Sequence, residues 1–202
     1  MPRQARIIPE NGYLHIIAKG NNQRRLFFCQ RDFKIYYSLV AKLKIEEKIK
    51  ILHYCFMPNH VHMLVEVNES SNLSRFMKRL NQIYANYYHK KHNYSGHLWQ
   101  DRFKSKLIRW DEYFLQCGKY IELNPVKANL VKLPQDYAFS SYRHYAFGIK
   151  DKLIDDNPFY LNSSPIASER QRIYREMLIN EMVEKKLKIH DQNSLNLNGL
   201  RV

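Results

Sequence analysis

Apolar positions near the start of the chain follow first a strand pattern and then a helix pattern. Residues 13–18 are mostly β-branched or aromatic and precede a turn-forming Gly-Asn-Asn at 20–22, which predicts a first strand. Over residues 32–44 the apolar side chains recur at helical spacing, so this stretch predicts a helix with Asp32 as a candidate N-cap. The chain therefore opens with a strand followed by a helix.

Two further apolar runs, at residues 49–56 and 60–67, are separated by Met57-Pro58-Asn59. Proline and asparagine favour a turn, so the two runs predict an antiparallel hairpin. Residues 73–87 return to helical spacing with basic residues on the other side of the helix, and residues 103–109 predict another strand.

A third helix is predicted over residues 111–123, before Pro125 ends or breaks it. This order of elements indicates an α+β fold in which a mostly antiparallel sheet has helices packed on one or both faces. Because no Gly/Ser-rich or Pro-rich linker divides the chain, we expect one domain over residues 1–148. Residues 149–202 then form a C-terminal extension, with a helix predicted at about 168–188.

The composition is strongly basic, with 33 Lys and Arg against 19 Asp and Glu and a formal net charge of +14. Such a surface attracts polyanions, of which nucleic acid is the commonest. No apolar run is long enough to span a bilayer, and the start of the chain lacks the apolar stretch of a signal peptide. We therefore expect a cytoplasmic protein that does not enter membranes.

His60 and His62 begin the second strand of the predicted hairpin and are the first candidates for chemistry. Alternate side chains of a strand lie on the same side, so the two imidazoles face together while Val61 and Met63 face the core. Two imidazoles on one rigid surface supply half of a metal site, which oxygen ligands, water or a phosphate oxygen can complete. Alternatively, both histidines lie on a solvated strand face, and the spacing alone leaves the two interpretations open.

Tyr120 lies near the end of the third predicted helix, and Asn124 follows four residues later, which is the spacing that places two side chains on one helix face. A phenol and an amide placed together could serve as a nucleophile and a metal ligand. Tyr120 could equally be a packed core aromatic, and Asn124 could cap a helical turn that begins at Pro125. Tyr113 lies on nearly the same face and is an alternative nucleophile.

Four stretches of the chain, taken in order, resemble a known family. They are MPNHVHMLVEV, RLNQIYANYYHKKHNYSGHLWQDRFKS, YIELNPVKANLV and DYAFSSYRHY. They resemble the HUH single-tyrosine transposases, most nearly the REP-associated tyrosine transposases of bacteria, over residues 13–145. The combination is far more specific than any one stretch, and it implies an HUH-endonuclease fold of the ferredoxin-like kind.

The resemblance also implies roles for individual residues. His60, His62 and Asn124 would bind a divalent metal, Mg²⁺ or Mn²⁺, and Tyr120, the first tyrosine of the YIxxNP pattern, would be the nucleophile. The implied reaction cleaves and rejoins single-stranded DNA through a 5′-phosphotyrosine link, at hairpin-bearing ends, in a monomer or a homodimer. Other branches of the superfamily have glutamine where this chain has Asn124.

Basic and aromatic side chains outside this centre are candidates for DNA contact. One side of the second predicted helix could follow the DNA backbone through Arg75, Lys78, Arg79, Lys90 and Lys91. In the WQDRFK segment, Arg102 and Lys104 could hold phosphates while Trp99 stacks on a base. The alternatives are a solvated helix face for the basic residues and a core position for Trp99.

Two other functions are compatible with the same residues. A protein of this fold could bind hairpin DNA as a regulator without cutting it, although retention of both histidines and Tyr120 argues against this. A metal-dependent hydrolase could instead activate water with the histidines and leave no covalent product. A denaturant-resistant adduct of protein and DNA distinguishes a transposase from both.

Overall fold

The structure is a computed structural model that describes residues 10–108, 112–155 and 157–198, with the backbone alone at 70–71, 112–113 and 184–198. In chain order the elements are β1 (Gly12–Lys19), α1 (Gln30–Glu46), β2 (Lys50–Met57), β3 (His60–Val67), α2 (Ser70–His92), β4 (Lys104–Ile108), α3 (Glu112–Glu122), α4 (Asn124–Lys127), α5 (Tyr142–Phe147), α6 (Pro158–Asn162) and α7 (Ala167–Asn198). Within these ranges, every helix is too short or too polar to cross a membrane.

The four strands form one sheet in the order β2-β3-β1-β4, and every neighbouring pair is antiparallel. The first six main elements follow the order βαββαβ, and with β1 and β3 in the centre of the sheet this is the ferredoxin-like arrangement. The predicted α+β fold of the ferredoxin-like kind, with an antiparallel sheet and packed helices, is confirmed.

One face of the sheet is covered by α1 and α2 and holds the larger apolar core. On β3 every second residue from Val61 to Val67 is fully buried on this face, as the alternation predicts. The helices supply large apolar side chains that pack against them, among them Tyr36, Val40, Phe76, Leu80 and Tyr84. This layer is the main source of hydrophobic stabilisation.

The opposite face is covered by α3, which packs a smaller core against β2 and β3. Phe114, Cys117 and Ile121 recur at helical spacing and are buried against Leu64 and Met57. The remaining residues of the sheet on this face include the histidines, so α3 lies beside them. The two faces therefore differ in composition, one apolar and the other partly polar.

The C-terminal residues pack back onto the preceding elements. The buried Lys44 of α1 donates to Asp155 at 2.7 Å, and Tyr37 and Tyr54 both donate to Asp151 at 2.6 Å. Further on, Tyr174 of α7 is buried in a small core with residues of α5. The helix predicted at about 168–188 lies within α7. The predicted boundary between the domain and the C-terminal extension, at residue 148, stays a prediction.

Asp32 does not cap α1 in the predicted way, because the helix begins earlier. Cys29 is the N-cap residue, and Asp32 occupies the third helical position, where its carboxylate accepts hydrogen bonds from the backbone N–H groups of Phe28 and Cys29. The carboxylate is fully buried and also pairs with Lys91 at 2.5 Å. Asp32 thus anchors the start of α1 from inside the protein.

Candidate active site

The register of the sheet places three histidines on the α3 face. On β3, His60 and His62 alternate with buried core residues, and on β1 the residues opposite them are Lys19 and Ile17. His15 is two positions before Ile17 and therefore points the same way. The ring centroids of His60 and His62 are 4.8 Å apart, and those of His15 and His62 are 5.1 Å apart. These positions confirm the prediction that the side chains of His60 and His62 lie on the same face of the sheet.

Sequence reasoning missed His15. An imidazole in the middle of an otherwise apolar strand is the feature that could have drawn attention to it. No local pattern, however, indicates that β1 pairs with β3 and so brings His15 to His62. In the structure His15 is 8% exposed, and its Nε2 shares a hydrogen bond of 2.9 Å with Nδ1 of His62. This contact fixes the orientation of the His62 ring.

The environment keeps all three imidazoles neutral at physiological pH. Burial lowers the pKa of His62 to about 2, helped by the neighbouring His15 and His60. Burial and the charge of Lys19 lower the pKa of His60 to about 4, and burial with Lys106 lowers that of His15 to about 4. A neutral imidazole keeps a nitrogen lone pair, which is the form that binds a metal.

The hydrogen bonds of His60 and His62 fit a metal-binding role. His60 donates from Nδ1 to the side-chain oxygen of Asn59 at 2.7 Å, and Nδ1 of His62 is engaged by His15. In each ring, Nε2 is therefore the nitrogen that remains to bind a cation. Metal-binding histidines are usually oriented by a hydrogen bond from their other ring nitrogen, as both are here. Among the described residues, no group of three or more His, Cys, Asp or Glu side chains is arranged to hold one metal ion. The remaining ligands would therefore be an amide, water or phosphate oxygen.

Tyr120 lies at the edge of α3 that faces the histidines. Its ring centroid is 5.6 Å from that of His62 and 5.8 Å from that of His15, both in edge-to-face orientation. The side chain is 43% exposed, so it is not the packed core aromatic of the alternative interpretation. The backbone of Tyr113 also belongs to α3, but its side chain lies outside the described residues.

Asn124 and Lys127 lie one and two turns beyond Tyr120. The amide nitrogen of Asn124 donates to the backbone carbonyl of Tyr120 at 2.6 Å, which leaves the amide oxygen as its potential metal ligand. The ammonium of Lys127 is 4.4 Å from the centroid of the Tyr120 ring. It is also close enough to help lower the pKa of His62, after the larger effect of burial. Lys127 was not predicted, although its seven-residue offset from Tyr120 places it on the same helical side.

A buried carboxylate on α3 holds the helix against β2. Glu122 is fully buried and accepts hydrogen bonds from Ser141 at 2.5 Å, from Tyr174 at 2.7 Å and from Nδ1 of His53 at 3.0 Å. Close approach of His53 requires glycine at position 118, where a Cβ would lie 2.8 Å from Nε2 of that histidine. This network fixes the turn of α3 that carries Tyr120.

A cleft of about 660 Å³ opens beside this centre between α3 and the β1–β4 edge. Its walls are His15, Ile17, Lys106, Leu107, Ile108, Gln116, Cys117 and Tyr120. The volume is sufficient for a small ligand such as a nucleotide. Lys104 and Lys106 pair with Ile17 and His15 on the neighbouring strand and so lie on the same side of the sheet.

The basic residues predicted along α2 divide into two groups. Near the start of the helix, Arg75 and Arg79 donate to Glu47, the C-cap residue of α1, at 2.9 and 2.7 Å, and Lys78 is exposed. Because α2 covers the face opposite the histidines, the structure does not bring these three residues to the candidate site. Their contact with DNA remains a prediction.

The other group, Lys90 and Lys91, lies in the last turn of α2. α2 follows β3 after a short turn, so its last turn returns to the end of the sheet where β3 begins. Lys90 is exposed, whereas Lys91 is paired with the buried Asp32. Both therefore lie at the same end of the sheet as His60.

Trp99 of the WQDRFK segment is partly buried and packs against the larger core. Trp99 donates from its indole N–H to the carbonyl of Asn81 at 2.9 Å and its ring lies 6.2 Å from that of Tyr84. This is the alternative that the sequence left open, and stacking of Trp99 on a base stays a prediction. Arg102 is exposed in the segment before β4.

Comparison with known proteins identifies the family. Residues 10–124, more than half of the chain and including all four predicted catalytic-centre residues, match the model of the family described as IS200-like transposases. A Haemophilus influenzae protein named as a REP-associated tyrosine transposase is 29% identical over 99 residues, which are 44% of this chain and 56% of that relative. The chain thus spans little more than half of the curated relative.

A solved structure of a REP-associated tyrosine transposase bound to a REP hairpin is similar over 78% of this chain and 93% of its own. The TM-score is 0.59 at 21% identity, so the fold is shared. The resemblance to the single-tyrosine transposases and their REP-associated branch is confirmed. The chain belongs to the IS200-like transposase family.

Proposed function

We propose that the protein cleaves and rejoins single-stranded DNA through a covalent bond between Tyr120 and a 5′-phosphate, assisted by Mg²⁺ or Mn²⁺. The observation that supports this most directly is the 5.6 Å between the ring centroids of Tyr120 and His62, which are far apart along the chain. Family membership and the net charge of +14 support DNA as the substrate. His60, His62 and Tyr120 come from one chain, so a monomer could contain a complete centre.

The chain's own residues would position both the nucleophile and the phosphate. A divalent cation bound by Nε2 of His60 and His62 and by the amide oxygen of Asn124 would withdraw negative charge from a non-bridging phosphate oxygen. His15 and Asn59 hold the two imidazoles in place, and the buried Glu122 holds α3. Holding the attacking phenol and the phosphate in fixed positions lowers the activation barrier of a displacement at phosphorus.

In the proposed step the phenolic oxygen of Tyr120 attacks the phosphorus of a DNA phosphodiester. A bond from Tyr120 to phosphorus forms as the bond to the 3′ oxygen breaks, and the proton of the phenol is lost to solvent while the departing oxygen takes one up. The ammonium of Lys127, 4.4 Å from the ring centroid, stabilises negative charge on the attacking phenol. Since one phosphodiester replaces another, a DNA 3′-hydroxyl can reverse the step and join new ends.

We propose DNA ends with a hairpin as the substrate. The support is the solved relative with a bound REP hairpin, together with an open cleft beside Tyr120. The reaction would take place in the cytoplasm.

The test incubates the protein with end-labelled hairpin DNA carrying a single-stranded flank, in the presence of Mn²⁺, and looks for an adduct that survives denaturant. Wild-type protein and Tyr113→Phe should form it, and Tyr120→Phe should not. His60→Ala should lose both the adduct and the stimulation by metal. Mass spectrometry of the digested adduct then identifies the linked tyrosine.

Other results would point elsewhere. An adduct lost in Tyr113→Phe and kept in Tyr120→Phe would overturn the nucleophile assignment. Cleavage without any adduct would support a metal-dependent hydrolase, and tight binding without cleavage would support a hairpin-binding regulator.

A further inference from the structure

Phe28 is an unusual residue in the segment that joins β1 to α1. Its ring is 50% exposed, although the preceding Leu26 and Phe27 are completely buried. A single exposed phenylalanine needs no explanation in itself. What distinguishes Phe28 is the set of side chains around its ring.

Cationic and aromatic groups surround this ring. The guanidinium carbon of Arg25 lies 5.7 Å from the Phe28 centroid, and the ring of His92 lies 4.8 Å away. Next to them, Arg24 lies over the ring of Tyr94 at 4.1 Å. We call these five residues, Arg24, Arg25, Phe28, His92 and Tyr94, the aromatic–basic patch.

The two arginines of the patch retain their positive charge for a ligand. Both are exposed, and among the described residues neither forms an ion pair with a carboxylate. This differs from Arg75 and Arg79 of α2, which are paired with Glu47. Arg25 donates from Nε to the carbonyl of Phe27 at 2.8 Å, which leaves its charge unneutralised. A guanidinium without a carboxylate partner beside an exposed ring attracts an anion that also has a flat apolar surface.

The patch is held rigidly by backbone contacts. The carbonyl of Pro58 accepts from the N–H groups of Leu26 at 2.7 Å and Phe27 at 3.1 Å, and the hydroxyls of Tyr84 and Tyr88 donate to the carbonyls of Leu26 and Arg25. The buried Asp32 accepts from the N–H of Phe28 at 2.8 Å. Rigid presentation lowers the entropic cost of binding.

The same contacts join the patch to the candidate active site. Pro58 and Asn59 form the turn that immediately precedes His60, and Gly20 donates to the carbonyl of Asn59 at 2.8 Å. A Cβ at Gly20 would lie only 2.1 Å from the carbonyl oxygen of Arg24, so glycine is needed for the chain to fold back here. The patch and His60 therefore lie at the same end of the sheet, joined by the turn at Pro58 and Asn59.

We propose that the aromatic–basic patch binds an unpaired nucleotide of the DNA strand, with its base stacked on Phe28 and its phosphates against Arg24 and Arg25. Every base has a π-face, and stacking on an exposed aromatic beside cations is the usual mode of single-strand binding. Paired bases offer no free face, so the patch selects the single-stranded part of the substrate. This inference rests on the proposed function and adds a second contact to it.

Binding is measured by fluorescence anisotropy at low ionic strength in a Tyr120→Phe parent, so that cleavage does not consume the probe. The probes are a short labelled oligothymidylate and an abasic oligodeoxynucleotide of equal length. Phe28→Leu should weaken binding of oligothymidylate roughly tenfold, because stacking is lost while the apolar volume is kept. Phe28→Trp should bind it at least as tightly as the parent. The abasic probe should bind Phe28→Leu and the parent alike.

Phe147→Leu is the matched control. Phe147 is 42% exposed and has Arg175 at 5.6 Å from its ring, so it offers a similar surface elsewhere in the fold. Equal binding of oligothymidylate by Phe28→Leu and the parent would overturn the proposal, as would an equal loss in Phe147→Leu or no preference of the parent for bases. Adduct formation with Tyr120 present is scored separately, so failure of the chemistry and failure of the stacking site are told apart.

Discussion

The two faces of the sheet bury their residues in different ways, and β3 shows the difference in adjacent positions. Met63 points to the α1/α2 face and is completely buried among hydrocarbon side chains, whereas His62 points to the α3 face and is 2% exposed among imidazoles and a phenol. Burying a polar ring costs free energy unless its partners satisfy it. The α1/α2 face therefore serves stability, and the α3 face gives up part of that stability to hold reactive groups.

Replacing His62 by asparagine should have the largest effect on function. An amide can keep the hydrogen bond that Nδ1 makes to His15 while removing Nε2, the proposed metal ligand. We expect adduct formation in Mn²⁺ to fall by about a thousandfold, since loss of metal-ion catalysis removes several kcal/mol of stabilisation. The free energy of unfolding, measured in urea, should change little. Wild-type adduct rates in this variant would exclude His62 as a ligand.

The neighbouring substitution Met63→Ala should have the opposite signature. It removes a fully buried side chain from the larger core, so the free energy of unfolding should fall by about 2–5 kcal/mol. Adduct formation per folded molecule should stay at the wild-type level. Both proteins are compared well below the melting temperature of the variant. A large loss of activity without loss of stability would contradict the division between the two faces.

Asp32 is a fully buried charge on the α1/α2 side of the sheet, and Asp32→Asn tests whether it is structural. Burial alone would raise the pKa of Asp32, but Lys91 and the N–H groups of Phe28 and Cys29 lower it to about 2 from an ordinary 3.8. We expect a loss of about 3 kcal/mol in the free energy of unfolding at neutral pH, because a buried pair is broken.

The sign of the pH dependence follows from the lowered pKa of Asp32. The carboxylate stabilises the fold above the unfolded-state value and loses this contribution as pH falls through the folded-state value of about 2. Wild type and Asp32→Asn should therefore converge in melting temperature between about pH 4 and pH 2. Asp136 is exposed, so Asp136→Asn is the control. A difference in stability between wild type and Asp32→Asn that does not change with pH would refute the role of the Asp32 carboxylate.

His15→Leu should have the smallest effect of the series, because it removes only the hydrogen bond to His62 on the α3 face. His15 is a positioning residue, since it contacts His62 rather than the proposed metal. Loss of such a contact usually lowers metal affinity 10- to 100-fold, so half-maximal adduct formation should need that much more Mn²⁺. The rate at saturating Mn²⁺ should stay near wild type. An unchanged metal requirement would show that His15 is merely a core residue.

Local patterns were enough for much of the fold and part of the site. The two-residue period of a strand placed His60 and His62 on one face, and the spacing of a helix placed Tyr120 beside Asn124. The predicted N-cap of α1, Asp32, lies three residues after the observed N-cap, Cys29, because the helix begins at Gln30. The carboxylate of Asp32 reaches back to the N-cap backbone instead. Boundaries of this kind depend on which hydrogen bonds the rest of the protein provides.

The alternation of core and reactive positions, the basic charge and the order of strands and helices are all encoded in local pattern and composition. Two arrangements became visible in the folded protein alone. β1 lies beside β3, which brings His15 to His62, and α1 lies beside α2, which pairs Arg75 and Arg79 with Glu47. The physical reason is range: periodicity acts between residues a few positions apart, whereas strand pairing and helix packing join segments whose contacts no local pattern encodes.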